Sequence, residues 1–211
     1  MFTCKTCGKE FDLPQHVLDR YPEWTPPECL DCKNGGSSKT ALPTRPSVSK
    51  RRDLTVDEVL ATFRDGPQTG VFTDGASEGN PGPGGWGAVL VVDGQVVAER
   101  HGHEPHTTNN RMELQAMIAG LEMLPADTGV NVYTDSQLIV DILTKWAAGW
   151  KANGWKKKSP GPIANLELVQ RAYELTKAKP NASIKWIKAH SGNRWNEYAD
   201  SLATAYRRDR M

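Results

Sequence analysis

The apolar positions change period several times along the chain. Val71-Phe72-Thr73-Asp74-Gly75 is a β-favouring run that stops at a turn residue, so it predicts a strand with Asp74 at its C-terminal end. The runs near Trp86 to Val92 and Gln95 to Arg100 flank Asp93-Gly94, a dipeptide suited to the positive φ angles of a two-residue hairpin. Together these three predict an antiparallel meander. Between Arg111 and Leu124 the spacing of Leu114, Met117, Ile118 and Leu121 becomes helical, which places Glu113 in the first turn. Val130-Asn131-Val132-Tyr133-Thr134 predicts a further strand, ended by Asp135. The helix expected after it carries Leu138, Ile139, Ile142, Leu143 and Trp146 on one face. Ser183 to Lys188 reads as a strand, His190 to Asn193 as a loop, and Trp195 to Arg208 as a helix. In that helix Ala199, Leu202, Ala203 and Tyr206 form the buried stripe, with Asp200 beside it.

Upstream the pattern is sparser. Thr55 and Glu58 have the spacing of a capping box, and Leu54 and Val59 that of a hydrophobic staple, which predicts a short helix to about Arg64. Its Val56, Val59, Leu60 and Phe63 are expected to dock on the main domain. Before it, Asn34 to Arg52 has no apolar period and is rich in Gly, Ser, Thr, Pro and basic residues, the composition of a tether. All four cysteines lie ahead of that tether, as Cys4-Lys5-Thr6-Cys7 and Cys29-Leu30-Asp31-Cys32. Two CxxC turns can direct four thiolates at one tetrahedral Zn²⁺, and a short segment with little core suits such a clip. Two disulfides or a redox CxxC are the alternatives. An intracellular location disfavours the first, and the absence of a strand-helix unit disfavours the second. His16 reads as a surface histidine. The expected organisation is a zinc module at 1–36, a basic linker at 37–53, a short helix and connection at 54–69, and the main domain at 70–208.

Composition narrows the possible partners. The 211 residues carry a net charge of only +1, so any nucleic-acid contact must come from local clusters. Lys39, Arg45, Lys50, Arg51 and Arg52 form one such cluster, and Lys145, Lys151, Lys156, Lys157 and Lys158 another. No apolar run is long enough for a membrane span and the first residues lack a signal-peptide core, so a soluble, cytoplasmic protein is expected; a monomer is the separate expectation for its assembly.

The acids supply the chemistry. Each has an ordinary explanation alone: Glu113 could complement a helix dipole, Asp135 could cap a helix, and Asp200 could face solvent. Two strand-end aspartates on adjacent strands would nevertheless place carboxylates within reach of one metal. Clustered carboxylates repel unless cations neutralise them, and all-oxygen ligands favour Mg²⁺ or Mn²⁺.

Five separated motifs then carry a resemblance. Thr73-Asp74-Gly75, Gly79 to Gly87, Thr107 to Leu114, Tyr133-Thr134-Asp135-Ser136-Gln137 and Lys188 to Gly192 resemble type 1 ribonuclease H in the family's order, over about Gly70 to Arg208. The resemblance implies an α/β fold: a mixed five-stranded sheet with helices on both faces, here with an N-terminal zinc-ribbon-like module added. It implies endonucleolytic hydrolysis of the RNA strand of RNA–DNA hybrids, leaving 5′-phosphomonoesters. Asp74, Glu113, Asp135 and Asp200 would bind two Mg²⁺ (or Mn²⁺) ions with substrate, and His190 would be the mobile histidine that assists water activation or product release.

Asn80, Asn109, Asn110 and Gln137 resemble the family's minor-groove contacts to base edges and sugars, and Thr108 its contact to a DNA phosphate. Trp146, Trp150, Lys151, Trp155, Lys156, Lys157 and Lys158 resemble its basic protrusion, in which the tryptophans pack and the lysines meet phosphate. The glycines from Gly79 to Gly87 read as turn formers, because no helix follows to complete a phosphate cradle. The cysteine module departs from the family's accessory hybrid-binding domain, so its ligand, nucleic acid or protein, stays open. Two other functions compete: an adaptor with an inert nuclease fold, disfavoured by the complete acid set, and a domain of a retroelement polyprotein, disfavoured by the lack of a polymerase segment.

Overall fold

A computed structural model of the chain describes residues 2–12, Gln15 and residues 53–208. The chain divides into two compact units, 1–51 and 52–211. In the first, β1 (Phe2–Thr3) pairs antiparallel with β2 (Glu10–Phe11). The first CxxC forms the turn between them: Gly8 N–H donates to Cys4 O at 2.9 Å, and Cys4 N–H donates to Lys9 O at 2.9 Å. Cys4 is buried and Cys7 exposed. Cys29, Cys32, His16 and the basic residues from Lys39 to Arg52 lie outside the described residues.

The second unit opens with α1 (Val56–Thr62), whose capping box forms as the spacing predicts. Glu58 N–H donates to Thr55 Oγ1 at 3.3 Å, and Thr55 N–H donates to Glu58 Oε2 at 2.9 Å. The helix ends at its Phe63 cap, slightly before the expected Arg64.

A mixed five-stranded sheet follows, in which the strands, numbered in chain order, stand third, second, first, fourth and fifth across the sheet. β3 (Gly70–Ser77), β4 (Gly82–Val92) and β5 (Gln95–Thr107) form the antiparallel meander, closed by the Asp93-Gly94 turn. The third strand runs past the expected Arg100 to Thr107, because its pairing with β4 resumes after a register shift and continues to Gly82. β6 (Asn131–Thr134) joins β3 in parallel, and β7 (Ser183–Trp186) joins β6 in parallel.

Between these strands run α2 (Asn109–Met123), α3 (Gln137–Asp141), a π-helical turn (Ile142–Trp146), α4 (Ala147–Ala152), α5 (Leu166–Ala178) and finally α6 (Arg194–Arg208). α5 is not among the elements read from the sequence, although Val169, Ala172 and Tyr173 line its buried face at helical spacing. The π turn corrects the expected apolar face after Asp135. Its wider ring, with Ala147 N–H donating to Ile142 O, rotates the helix, so Ile139, Ile142 and Leu143 are buried while Leu138 and Trp146 are exposed.

Strand alternation builds two cores. Val71 and Leu90 face one side with Leu114, Met117, Leu121, Val132, Ile139 and Val169; Phe72, Val89 and Val91 face the other with Val59, Trp195, Tyr198 and Leu202. α1 therefore docks through Val59 onto the α6 side. Truncating a side chain buried as fully as Phe72 would cost about 3–5 kcal/mol. Helices cover both faces, α2 on the Val71 side and α6 on the Phe72 side.

Candidate active site

The parallel pairing of β3 and β6 aligns Thr73 with Thr134, so Asp74 and Asp135 follow side by side where β6 ends; β3 itself runs on to Ser77 in its pairing with β4, so Asp74 lies within the strand and not at the C-terminal end expected for it. Adjacent strands lie about 4.8 Å apart, which makes this an enforced meeting of two carboxylates. Glu113 arrives from α2. The helix begins at Asn109 with Thr108 as N-cap, its Oγ1 accepting from Arg111 N–H, so Glu113 sits in the second turn and not the first. A dipole-complementing role for it falls away accordingly. Gly75 is what lets α2 come this close: a Cβ there would lie 2.2 Å from Glu113 N. Asp200 comes from α6, which packs across β3 and β4 on the face that carries Phe72 and Asp74.

Asp74, Glu113 and Asp135 bring carboxylate oxygens within 4.8 Å of one another, and Asp200 is near enough for its charge to bear on Asp74. Burial, then the charges of Glu113, Asp135 and Asp200, push the Asp74 carboxyl well above the ordinary aspartate range. Burial and then Asp135 raise Glu113, against a weak hydrogen bond from Asn109 Nδ2 at 3.5 Å. Burial also raises Asp135 and Asp200, both moderated by neighbours that favour the anion: Asn196 and His190 for Asp135, His190 and Asp74 for Asp200. Glu113 Oε2 is buried without a hydrogen-bond partner among the described residues. Crowded hard oxygens, one of them orphaned, fit a divalent cation such as Mg²⁺ or Mn²⁺.

A second group lies beside the first. His190, in a left-handed conformation at φ 48° between β7 and α6, comes together with Glu197 and Asp200. Glu197 is buried, accepts from Gly192 N–H at 3.3 Å and lies 3.9 Å from His190 Nδ1. Asn196, also buried, donates from Nδ2 to Asp135 Oδ2 at 3.4 Å. Trp186, half exposed, donates from Nε1 to Asp135 O at 3.0 Å. Sequence reading missed all three. Asn196 and Glu197 precede the expected buried stripe of their helix and have no periodic signal of their own; Trp186 sits at the end of a recognised strand.

Of the polar residues expected to meet substrate, Asn109 reaches the acids directly, through Glu113. Asn80 lies on the exposed turn from β3 to β4, and Asn109 and Asn110 begin α2 beside Glu113. Gln137 begins α3, two residues after Asp135, with Nε2 donating to Asp141 Oδ1 at 3.0 Å. The basic segment forms a separate platform. Trp150 and Trp155 pack on the core around α5, Trp155 edge-on to Tyr173 at 5.9 Å, and Lys151 pairs with Glu174 at 2.6 Å. Lys156 and Lys158 are exposed and Lys157 is half-buried; with Trp146, Trp150 and Asn153 they line an open hollow of about 930 Å³.

Comparison with known proteins places this geometry. The profile of the family described as RNase H matches residues 67–208. Ribonuclease H of Rhizobium etli is 50% identical over 133 residues, covering 63% of this chain and 87% of the relative. Ribonuclease H of Bradyrhizobium sp. is 50% identical over 137 residues, covering 65% and 88%. Among solved structures, LC9-RNase H1, a type 1 RNase H with the type 2 active-site motif, aligns with a TM-score of 0.56 at 33% identity, covering 70% of this chain and 76% of that one. RNase H1 of the halophilic archaeon Halobacterium salinarum aligns with a TM-score of 0.51 at 32% identity, covering 68% and 99%. A family match over most of the chain, joined to four carboxylates gathered at one end of the sheet, shows that the chain belongs to the RNase H family.

Proposed function

We infer that the protein is a type 1 ribonuclease H, an endonuclease that hydrolyses the RNA strand of RNA–DNA hybrids without reading base sequence. The observation that carries the reading is the meeting of Asp74, Glu113 and Asp135, with the charge of Asp200 beside Asp74, where β6 ends against β3. An adaptor would have no use for buried acids held against their mutual repulsion.

Asp74, Glu113, Asp135 and Asp200 would hold two Mg²⁺ or Mn²⁺ ions, which when bound supply Lewis-acid stabilisation of the attacking and leaving oxygens of a phosphodiester. The chain's own residues do the remaining work. Asn80, Asn109, Asn110 and Gln137 offer donors and acceptors around the acids, suited to ribose 2′-OH groups and base edges in a wide minor groove. Thr108 lies one residue before Asn109 on the same helix end, where its hydroxyl can meet a phosphate of the DNA strand. His190, half-exposed and next to Asp200, is placed to exchange a proton with water or the departing product oxygen. Trp150 and Trp155 stiffen the basic platform, and Lys156, Lys157 and Lys158, with Lys151, present positive charge to the hybrid backbone beyond the cleavage site.

For the N-terminal unit, Cys4 and Cys7, which share a hairpin turn, would supply half of a four-thiolate Zn²⁺ site, with Cys29 and Cys32 as the other half by their matching spacing. That unit would add a second, weak contact to nucleic acid or to a protein partner, raising effective concentration on long substrates. Among the described residues no helix is long and apolar enough to cross a membrane.

The test is cleavage of an end-labelled RNA–DNA hybrid beside single-stranded RNA and duplex DNA, with Mg²⁺ or EDTA and with Asp74→Asn as control. Internal cuts confined to the RNA of the hybrid, lost with EDTA and in the variant, are expected. Folded protein that binds hybrid in Mg²⁺ without cutting it would overturn the reading in favour of an adaptor.

A further inference from the structure

The loop that carries His190 is held from outside by residues that precede the family match, which begins at residue 67. Phe63 lies over Gly192: a Cβ on that glycine would stand 3.8 Å from Phe63 Cδ1. Asp65 O accepts from Arg194 N–H at 2.9 Å, and Asp65 and Asn193 form a parallel β-bridge. Gly66, at φ 108°, leaves the space that the Asn193 side chain fills, since a Cβ there would stand 2.4 Å from Asn193 Nδ2.

The other end of the same segment is tied to α6, the helix that supplies Asp200 and Glu197. Arg207 Nη1 donates to Asp53 Oδ1 at 3.0 Å, Ser201 Oγ donates to Leu54 O at 2.7 Å, and Arg208 Nη1 donates to Leu54 O at 3.0 Å. Between the two ends α1 is anchored by Val59, which is 1% exposed. Glu197 holds the loop from inside through Gly192 N–H. Gly192 to Arg194 are therefore gripped on two sides while His190, two residues earlier, stays half-exposed and in a left-handed conformation.

We propose that Asp53 to Gly66 is a positioning brace for the His190 loop, so that the catalytic unit of this chain begins at Asp53 and not at the family boundary. Gly192, at φ 82°, leaves the loop backbone free to take several conformations, while His190, at φ 48°, holds one that side-chain-bearing residues rarely adopt and that its surroundings must maintain. Contacts with Phe63, Asp65 and Gly66 narrow that freedom and hold the imidazole close to the acids. The brace acts through His190 and never touches substrate.

The proposal rests on the role assigned to His190 under the proposed function. Phe63→Ala and Gly66→Ala are made in the full-length protein, each with His190 intact and with His190→Ala. Turnover and KM on a hybrid are measured below the melting transition of every variant, with hydrogen exchange at the Arg194 amide. Each brace variant is expected to lower kcat by about 5- to 20-fold with KM nearly unchanged, and to speed exchange at Arg194. In the His190→Ala background the same changes should alter kcat by less than about twofold, because the group they position is gone. Equal losses in both backgrounds, or no loss with His190 intact, would overturn the brace alone. Full kcat in His190→Ala by itself would instead remove the role assigned to the histidine, and the brace with it.

Discussion

Asp74→Asn should make the metal-free protein more stable while abolishing its activity. Asp74 is buried against Glu113 and Asp135 with carboxylate oxygens within 4.8 Å. Two unit charges at that separation, in an effective dielectric of about 20, repel by roughly 3.5 kcal/mol. Proton uptake relieves part of that strain, so removing one charge should recover about 1–3 kcal/mol. For a domain of this size each kcal/mol moves the melting temperature by about 2–4 °C, which predicts a rise of about 2–12 °C in EDTA near pH 8.

The sign follows from the raised carboxyls. A group whose folded pKa lies above its unfolded value, near 4 for aspartate, contributes stability that is fully present below the unfolded value and is lost as the pH rises through the folded one. Wild type should therefore lose stability toward neutral and basic pH, and the variant should lose less. Near pH 4 the two should converge. Excess Mg²⁺ should then raise the wild type more than the variant, because ligand binding to the folded state is what offsets the repulsion. Thermal melts of both proteins from pH 4 to 8, with EDTA or Mg²⁺, test all of this. An Asn variant no more stable than wild type in EDTA at pH 8, or equally stabilised at pH 4, would refute the argument.

Replacing Lys156, Lys157 and Lys158 with Glu should weaken hybrid binding and flatten its salt dependence by about 0.9 in log-log slope for each phosphate no longer neutralised; titrations across salt concentrations check it, and an unchanged slope would exclude the platform from binding. Full-length protein should carry about one Zn²⁺ per chain by atomic emission, and Cys4→Ser should release it; metal-free wild type prepared with zinc present would count against the four-thiolate site. Thr55→Ala removes the capping box of α1 and should cost about 1 kcal/mol by urea unfolding, with no change meaning that the box is idle.

Much of the molecule was legible in the residues because its local signals are strong. The Asp93-Gly94 hairpin, the Thr55–Glu58 capping box and the periodic stripe of α6 each come from short-range rules, and each forms in the structure. The four acids were legible for another reason: Asp74, Glu113 and Asp135 sit within motifs specific enough to carry a family resemblance, and that resemblance implies Asp200. Local rules failed where packing overrode them. The π turn at Ile142 to Trp146 turns Leu138 and Trp146 to solvent, and α5, with its short apolar face, passed unread.

Only the tertiary structure decided what surrounds the acids. Sequence distance says nothing of Glu197 reaching Gly192 N–H, of Asn196 reaching Asp135, or of Phe63 lying over the His190 loop from the far end of the domain. Such contacts have no period and no composition. They exist because the parallel join of β3 to β6 and the packing of α1 and α6 on one sheet face bring distant segments together. The sequence determined which groups could do the chemistry; the fold determined how closely like charges are forced together and which residues hold them there.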